Sequence, residues 1–211
     1  MAARPEHRER WETRTLRALM VPANLVLGGL VASLVALPGV TLLPALVALG
    51  RAFSQWHDDG DDAVVTSLLR ELRATWRRTW RAGILAGIVV WLLVVDVLFL
   101  LAQLGTASAG FAVVLGGATV PVAAVVGLVL LLVPVAAARQ RDGTVRDWLR
   151  AAATFAAGRP VGTLALLLLG AAVLATCVVL PTLAPFVALS VPLYLAVRAW
   201  PPSAGPADAG S

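Results

Sequence analysis

Three apolar stretches, Ala18 to Gly50, Ala82 to Ala138 and Pro160 to Val197, hold a single formal charge between them, Asp96. A helix of about 20 apolar residues matches the hydrocarbon thickness of a bilayer, so runs of this length belong in lipid rather than in a soluble core. With 59% hydrophobic and 14% charged residues, the 211-residue chain lies outside the soluble globular and disordered classes. It is expected to cross a membrane several times.

Arginine then sets the topology. All 17 basic residues are Arg, and none falls inside the three stretches. Each stretch has an internal break. Pro38-Gly39 is a turn signal that divides the first into spans over about 18–37 and 40–56. Gln103 to Gly110 separates spans over 82–102 and 111–138, and Pro181 to Pro185 separates 161–180 from 186–197. The three turns contain no Arg, whereas the four segments on the opposite side carry five, six, five and one. The excess of Arg on cytoplasmic loops places both termini in the cytoplasm.

The expected fold is therefore all-α: a polytopic membrane helix bundle of six transmembrane helices in three hairpins, with cytoplasmic amphipathic helices. Residues 1–17 form a charged cytoplasmic segment, 18–198 a single transmembrane helical domain, and 199–211 a flexible cytoplasmic tail. The N-terminal segment interleaves Arg4, Arg8, Arg10, Arg14 and Arg17 with Glu6, Glu9 and Glu12, too long and too charged for a cleavable signal, and is expected to be retained. Span 40–56 is the thinnest, with 11 uncharged residues before Arg51, whose long side chain is expected to snorkel to the headgroups. A re-entrant half-helix, or five spans with the N-terminus outside, are the alternatives for this segment.

The segment before the second hairpin has a helical period. Val65, Leu68, Leu69, Leu72, Trp76 and Trp80 recur at three and four residues, with Arg70, Arg73, Arg77, Arg78 and Arg81 between them. Val145, Trp148, Leu149, Ala152 and Phe155 repeat the pattern against Arg146 and Arg150. Such helices are expected at the inner headgroup layer, where Trp is at home and each Arg gains about 1 kcal/mol beside anionic lipid. Arg70, Arg73, Trp76, Arg77, Arg78, Trp80 and Arg81 are the candidate inner-interface residues, facing lipid or a cytoplasmic partner.

The residues that could carry chemistry are few. Asp96, roughly 21 Å into its span at 1.5 Å per residue, is costly in lipid and must face the bundle interior. It is either a proton, cation or solute site, or a hydrogen-bond partner for a neighbouring helix. Asn24 and Thr41 are the next intramembrane polar candidates, and such groups mostly join helices. Gly83-x-x-x-Gly87 and Gly28-x-x-x-Ala32-x-x-x-Ala36 favour close helix approach.

Other sites are not indicated. His57-Asp58-Asp59-Gly60-Asp61-Asp62 lacks the ligand spacing of a calcium loop and reads as a solvated loop. Cys177 stands alone within an apolar run and reads as a small buried hydrophobe. With no nucleophile–base set, zinc spacing or phosphate-binding glycine loop, no catalytic, metal-binding or cofactor-binding residue is predicted, and no cofactor. A net charge of +5 placed at helix ends points to membrane topology rather than to nucleic acid.

Asn24-Leu25-Val26-Leu27 followed by Leu37-Pro38-Gly39-Val40-Thr41-Leu42-Leu43-Pro44-Ala45 resembles the opening of the YesL-like bacterial membrane proteins. The arginine-aromatic helix from Leu69 to Arg81 and the span with Asp96 follow in the family's order, so the resemblance covers about residues 15–105. Leu43 stands where the family has Gly. The resemblance implies a multi-span protein of the bacterial cell membrane without established molecular activity, encoded beside carbohydrate-uptake transporters. The expectation is a non-enzymatic accessory or scaffold linked to carbohydrate uptake. Its partners would be the lipid bilayer, anionic headgroups, and a carbohydrate transporter or a second copy of itself. The alternative is a small-solute transporter or channel with Asp96 in a polar path.

Overall fold

The computed structural model describes residues 6–59, 63–103 and 109–200, which form helices and short turns with no strand among them. In chain order they are α1 (Glu6–Ala36), α2 (Leu42–Asp59), α3 (Val64–Gln103), α4 (Ala109–Arg139), α5 (Val145–Gly158), α6 (Pro160–Val179), a 3-10 turn at Pro181–Leu183, α7 (Ala184–Val187) and α8 (Ser190–Ala199). The all-α bundle expected from the sequence is what forms. The segments 60–62 and 104–108, the first five residues and the tail from 201 onward lie outside the described residues.

Five segments are long and apolar enough to cross a bilayer: Leu19–Ala36, Val64–Gln103, Val113–Arg139, Pro160–Val179 and Pro181–Ala199. The expected span at 40–56 corresponds to α2, which is not among the five by length and composition. It is the central helix of the bundle. Every residue from Leu43 to Gln55 is buried, enclosed by α1, α3, α4 and α8. A helix walled off from lipid on all sides needs no apolar outer face, which is why α2 tolerates Arg51, Ser54 and Gln55. Lipid tails supply no hydrophobic drive between helices, so close contact of small residues holds them. Ala45, Ala48 and Ala52 are almost fully buried. A Cβ on Gly50 would come within 3.0 Å of the Pro134 carbonyl oxygen of α4.

The turn between α1 and α2 has Gly39 in the left-handed region, at φ +73°, where only glycine sits without strain. That turn packs on α3. Gly83 lies against the Val40 carbonyl and Pro44, and a Cβ on Gly87 would stand 2.7 Å from the Gly39 carbonyl oxygen. The Gly-x-x-x-Gly pair thus receives the α1–α2 turn and, at Pro44, the first turn of α2.

The arginine-rich lead-in and the apolar span that follows it are one uninterrupted helix. α3 runs for 40 residues, about 60 Å at 1.5 Å per residue. No breaker separates Arg81 from Ala82, so the expected separate helix lying flat beneath the span does not form here. Before α6 the lead-in is separate: α5 is a distinct 14-residue helix. Its N-terminus is closed by a capping box in which Thr144 and Asp147 satisfy each other's backbone N–H. The chain breaks at Arg159 and restarts with Pro160 at the first helical turn of α6, a position where a missing N–H costs nothing.

The hairpins do not end at one height. Ser33 Oγ donates to the Pro185 carbonyl at 2.9 Å, and Gly29 packs on the Phe186 carbonyl, so the α1–α2 and α6–α7 turns sit close together. Gly39 meets Gly87 there. From Gly87, α3 continues 16 residues to Gln103, about 24 Å farther, and meets α4 there at Asp96–Thr119 and Leu100–Gly116. Trp91, Leu92, Leu98 and Val114 are exposed along this projecting hairpin.

Candidate functional site

Polar side chains gather where α2, α3 and α4 meet. Arg51 on α2 is 6% exposed, not extended to the surface as its position near a helix end suggested. Its Nε donates to the Ala137 carbonyl at 3.1 Å and Nη2 to the Arg141 carbonyl at 3.0 Å. Ala137 is in the last turn of α4, whose carbonyls have no intrahelical N–H to accept. Arg51 therefore caps α4 from the side, with its positive charge at the negative end of the helix dipole. Nη1 donates to Glu71 Oε2 of α3 at 3.2 Å, completing a three-helix clasp.

The clasp has a second layer. Gln55 Nε2 donates to Glu71 Oε1 at 2.9 Å, and Arg70 Nη2 donates at 3.3 Å to both Gln55 Oε1 and Ser67 Oγ. Trp148 of α5 is 1% exposed. Its ring centroid is 5.8 Å from the Arg51 guanidinium carbon, and its indole N–H donates to the Gln140 carbonyl at 2.8 Å. Arg139 pairs with Asp58 at 2.8 Å, joining the ends of α4 and α2. Chemically this set is two hydrogen-bonded ion pairs, with Arg139 Nε buried and, among the described residues, without a hydrogen-bond partner.

The outward side of α3 differs. Its buried strip is Val64, Ser67, Leu68, Thr75, Thr79 and Gly83. Thr75 and Thr79 return their hydroxyls to carbonyls one turn back, at 2.5 and 3.0 Å, so they pack on α2 with no orphan donor. Of the apolar period read from the sequence, Leu68 joins the buried strip, whereas Leu69, Trp76 and Trp80 are exposed. A shallow groove there is lined by Leu69, Leu72, Arg73, Trp76 and Arg77. Arg78 and Arg81 are exposed beside it, with Arg81 5.4 Å from the Trp80 ring centroid. Of the seven candidate interface residues, only Arg70 turns partly inward.

The intramembrane candidates are dispersed. Asp96 Oδ2 accepts from Thr119 Oγ1 at 2.5 Å, bridging α3 and α4 in the projecting hairpin. Thr119 Oγ1 also lies 3.1 Å from the Leu115 carbonyl, one turn back on α4. Thr41 is buried in the α1–α2 turn and donates to the Val35 carbonyl. Asn24 is half-buried on α1. Asp96 stands nine residues beyond Gly87, about 13 Å from the level of the Thr41 turn, so the three do not form one site.

Among the described residues no group of three His, Cys, Asp or Glu side chains is placed to hold a metal. Cys177 is buried and free. Helices long and apolar enough to span, arranged around a buried polar clasp, define the class: an all-helical, multi-pass membrane protein. No family model, curated protein or solved structure matches the chain.

Proposed function

We propose that this chain is a non-enzymatic accessory or scaffold protein of the bacterial cell membrane, with both termini cytoplasmic, acting beside a carbohydrate-uptake transporter. The observation that supports a scaffold is how the buried charges are engaged. Arg51 and Glu71 bond to three helices and to each other, and Asp96 bonds to Thr119 of the adjacent helix. Groups committed to joining helices favour assembly over turnover. The YesL-like resemblance of residues 15–105 supports the link to carbohydrate uptake, and the absence of Arg from the three turns supports the orientation. No catalytic residue or cofactor enters this reading.

The test is uptake of labelled sugar in cells with and without the protein, alongside flux in vesicles holding the purified chain alone. A scaffold lowers cellular uptake when deleted and passes no solute by itself. Solute flux through the purified chain would overturn it.

A second reading is a small-solute transporter or channel. Asp96 favours it, being only half-buried within an otherwise apolar hairpin. In that case Asp96→Asn abolishes vesicle flux while the folded protein persists.

A further inference from the structure

The groove on α3 and the unequal heights of the hairpins, taken together, point to a ligand. Arg73 and Arg77 are one helical turn apart on the outward face, both exposed, and among the described residues neither has an ion-pair or hydrogen-bond partner. The nearest acid in sequence, Glu71, is turned inward to Arg51 and Gln55. Trp76, 40% exposed, lines the same groove together with Leu69 and Leu72. The result is two unneutralised cations, an indole and an apolar floor along one stripe.

Helix heights bring this stripe to the membrane surface. α1 exposes Leu27 and Leu34 (48% and 57%), and Gly28 beside them faces Leu49 and Phe53 of α2 and Val64 at the amino-terminal end of α3. The α3–α4 hairpin exposes its own apolar side chains some 24 Å farther along. A bilayer square to α3 could cover one of these surfaces only, and α3 at about 60 Å is longer than the 40–45 Å of a whole bilayer. A bilayer oblique to α3 covers both. It carries the arginine-bearing part of α3, groove outward, through the headgroup layer at a slant.

We infer that the Arg73–Trp76–Arg77 groove binds the headgroup of an anionic phospholipid. The guanidiniums take the phosphodiester by charge-assisted hydrogen bonds and the indole sits at the glycerol level. Leu69 and Leu72 receive the upper acyl carbons. This rests on the membrane placement proposed above, but it requires neither a sugar transporter nor a scaffold role.

The experiment is lipid retention by the full chain purified in neutral detergent. Protein incubated with phosphatidylglycerol or phosphatidylcholine is re-purified, and the bound lipid is quantified by mass spectrometry. The wild type retains phosphatidylglycerol over phosphatidylcholine, and Arg73→Gln/Arg77→Gln lowers that retention several-fold. Arg146→Gln/Arg150→Gln, which removes the same charge from α5, leaves most of it. Equal losses in the two double variants, or none in the first, would overturn the inference. So would displacement of the lipid by inorganic phosphate alone, which would make the groove a free-anion site. A photoactivatable phosphatidylglycerol on the wild type gives an arm independent of any variant's folding: label within 69–77 is expected, and label confined elsewhere refutes the site. A failed sugar-uptake experiment leaves each of these outcomes unaffected.

Discussion

The guanidinium of Arg51 sits 3.2 Å from the carboxylate of Glu71, with both side chains almost closed off from the surface at 7% and 12% exposure. That pair joins the central helix to α3, while the remaining donors of the same arginine hold the end of α4. Removing one member of a buried pair leaves the other charge uncompensated and costs about 3–5 kcal/mol, more than the pair itself contributes. Arg51→Met alone is therefore expected to lower the thermal unfolding temperature in detergent sharply. Arg51→Met/Glu71→Met is expected to recover much of the loss. If the double variant is no more stable than the single one, the clasp has been misjudged.

Asp96 and Thr119 supply a smaller link. Hydrogen bonds between membrane helices average about 0.6 kcal/mol and reach about 1.7. Asp96→Asn keeps an acceptor toward Thr119 and should change stability by less than about 0.5 kcal/mol, whereas Asp96→Ala should lose a bond of roughly 1 kcal/mol. Unfolding in mixed micelles measures both.

Glycine positions divide into two kinds. Gly87→Ala forces a methyl to within 2.7 Å of the Gly39 carbonyl oxygen, a backbone atom with no rotamer to escape by. It is expected to destabilise the fold and increase protease access to the α1–α2 turn. Gly117→Ala meets no atom within 4 Å and should leave the unfolding temperature unchanged. Limited proteolysis beside a melting curve distinguishes the two.

The start of α5 titrates. Asp147 is held below its ordinary carboxyl value of 3.8 by the hydrogen bonds from the Thr144 side chain and backbone, then by Arg150 and Arg146. A depressed folded pKa means the stabilisation is fully present above about pH 4 and is lost as pH falls through the lowered value. Amide exchange over 145–158, corrected for its intrinsic pH dependence, should quicken in that acid window. Asp147→Asn should remove the dependence.

Much of this architecture was legible in the chain, because helix breaks and composition are local properties. Pro38-Gly39 marks the first turn, and the period of Val145, Trp148, Leu149, Ala152 and Phe155 marks α5 as a helix, whose Trp148 and Ala152 turn out to be buried. Arg51 was not legible. A lone arginine near a helix end has the same sequence signature whether it reaches water or clasps a neighbouring helix. What separates the two is the enclosure of α2, a tertiary fact. Thr75 and Thr79 were missed for a related reason: the apolar period singles out Trp76 and Trp80, whereas the buried strip selects small side chains that satisfy their own hydroxyls. The continuity of α3 was visible in the absence of any Pro between Val64 and Gln103, though the change from arginine-rich to apolar drew attention as a boundary.

A helix carried through 40 residues on one hydrogen-bond ladder has a single tilt and a single azimuth. Whatever leans its lipid-immersed end leans its cationic end by the same angle. Helices accommodate a thinner or thicker hydrocarbon layer by tilting. In this chain such a tilt re-aims the guanidinium row, so bilayer thickness and headgroup contact act as one variable, coupled through a lever with no joint.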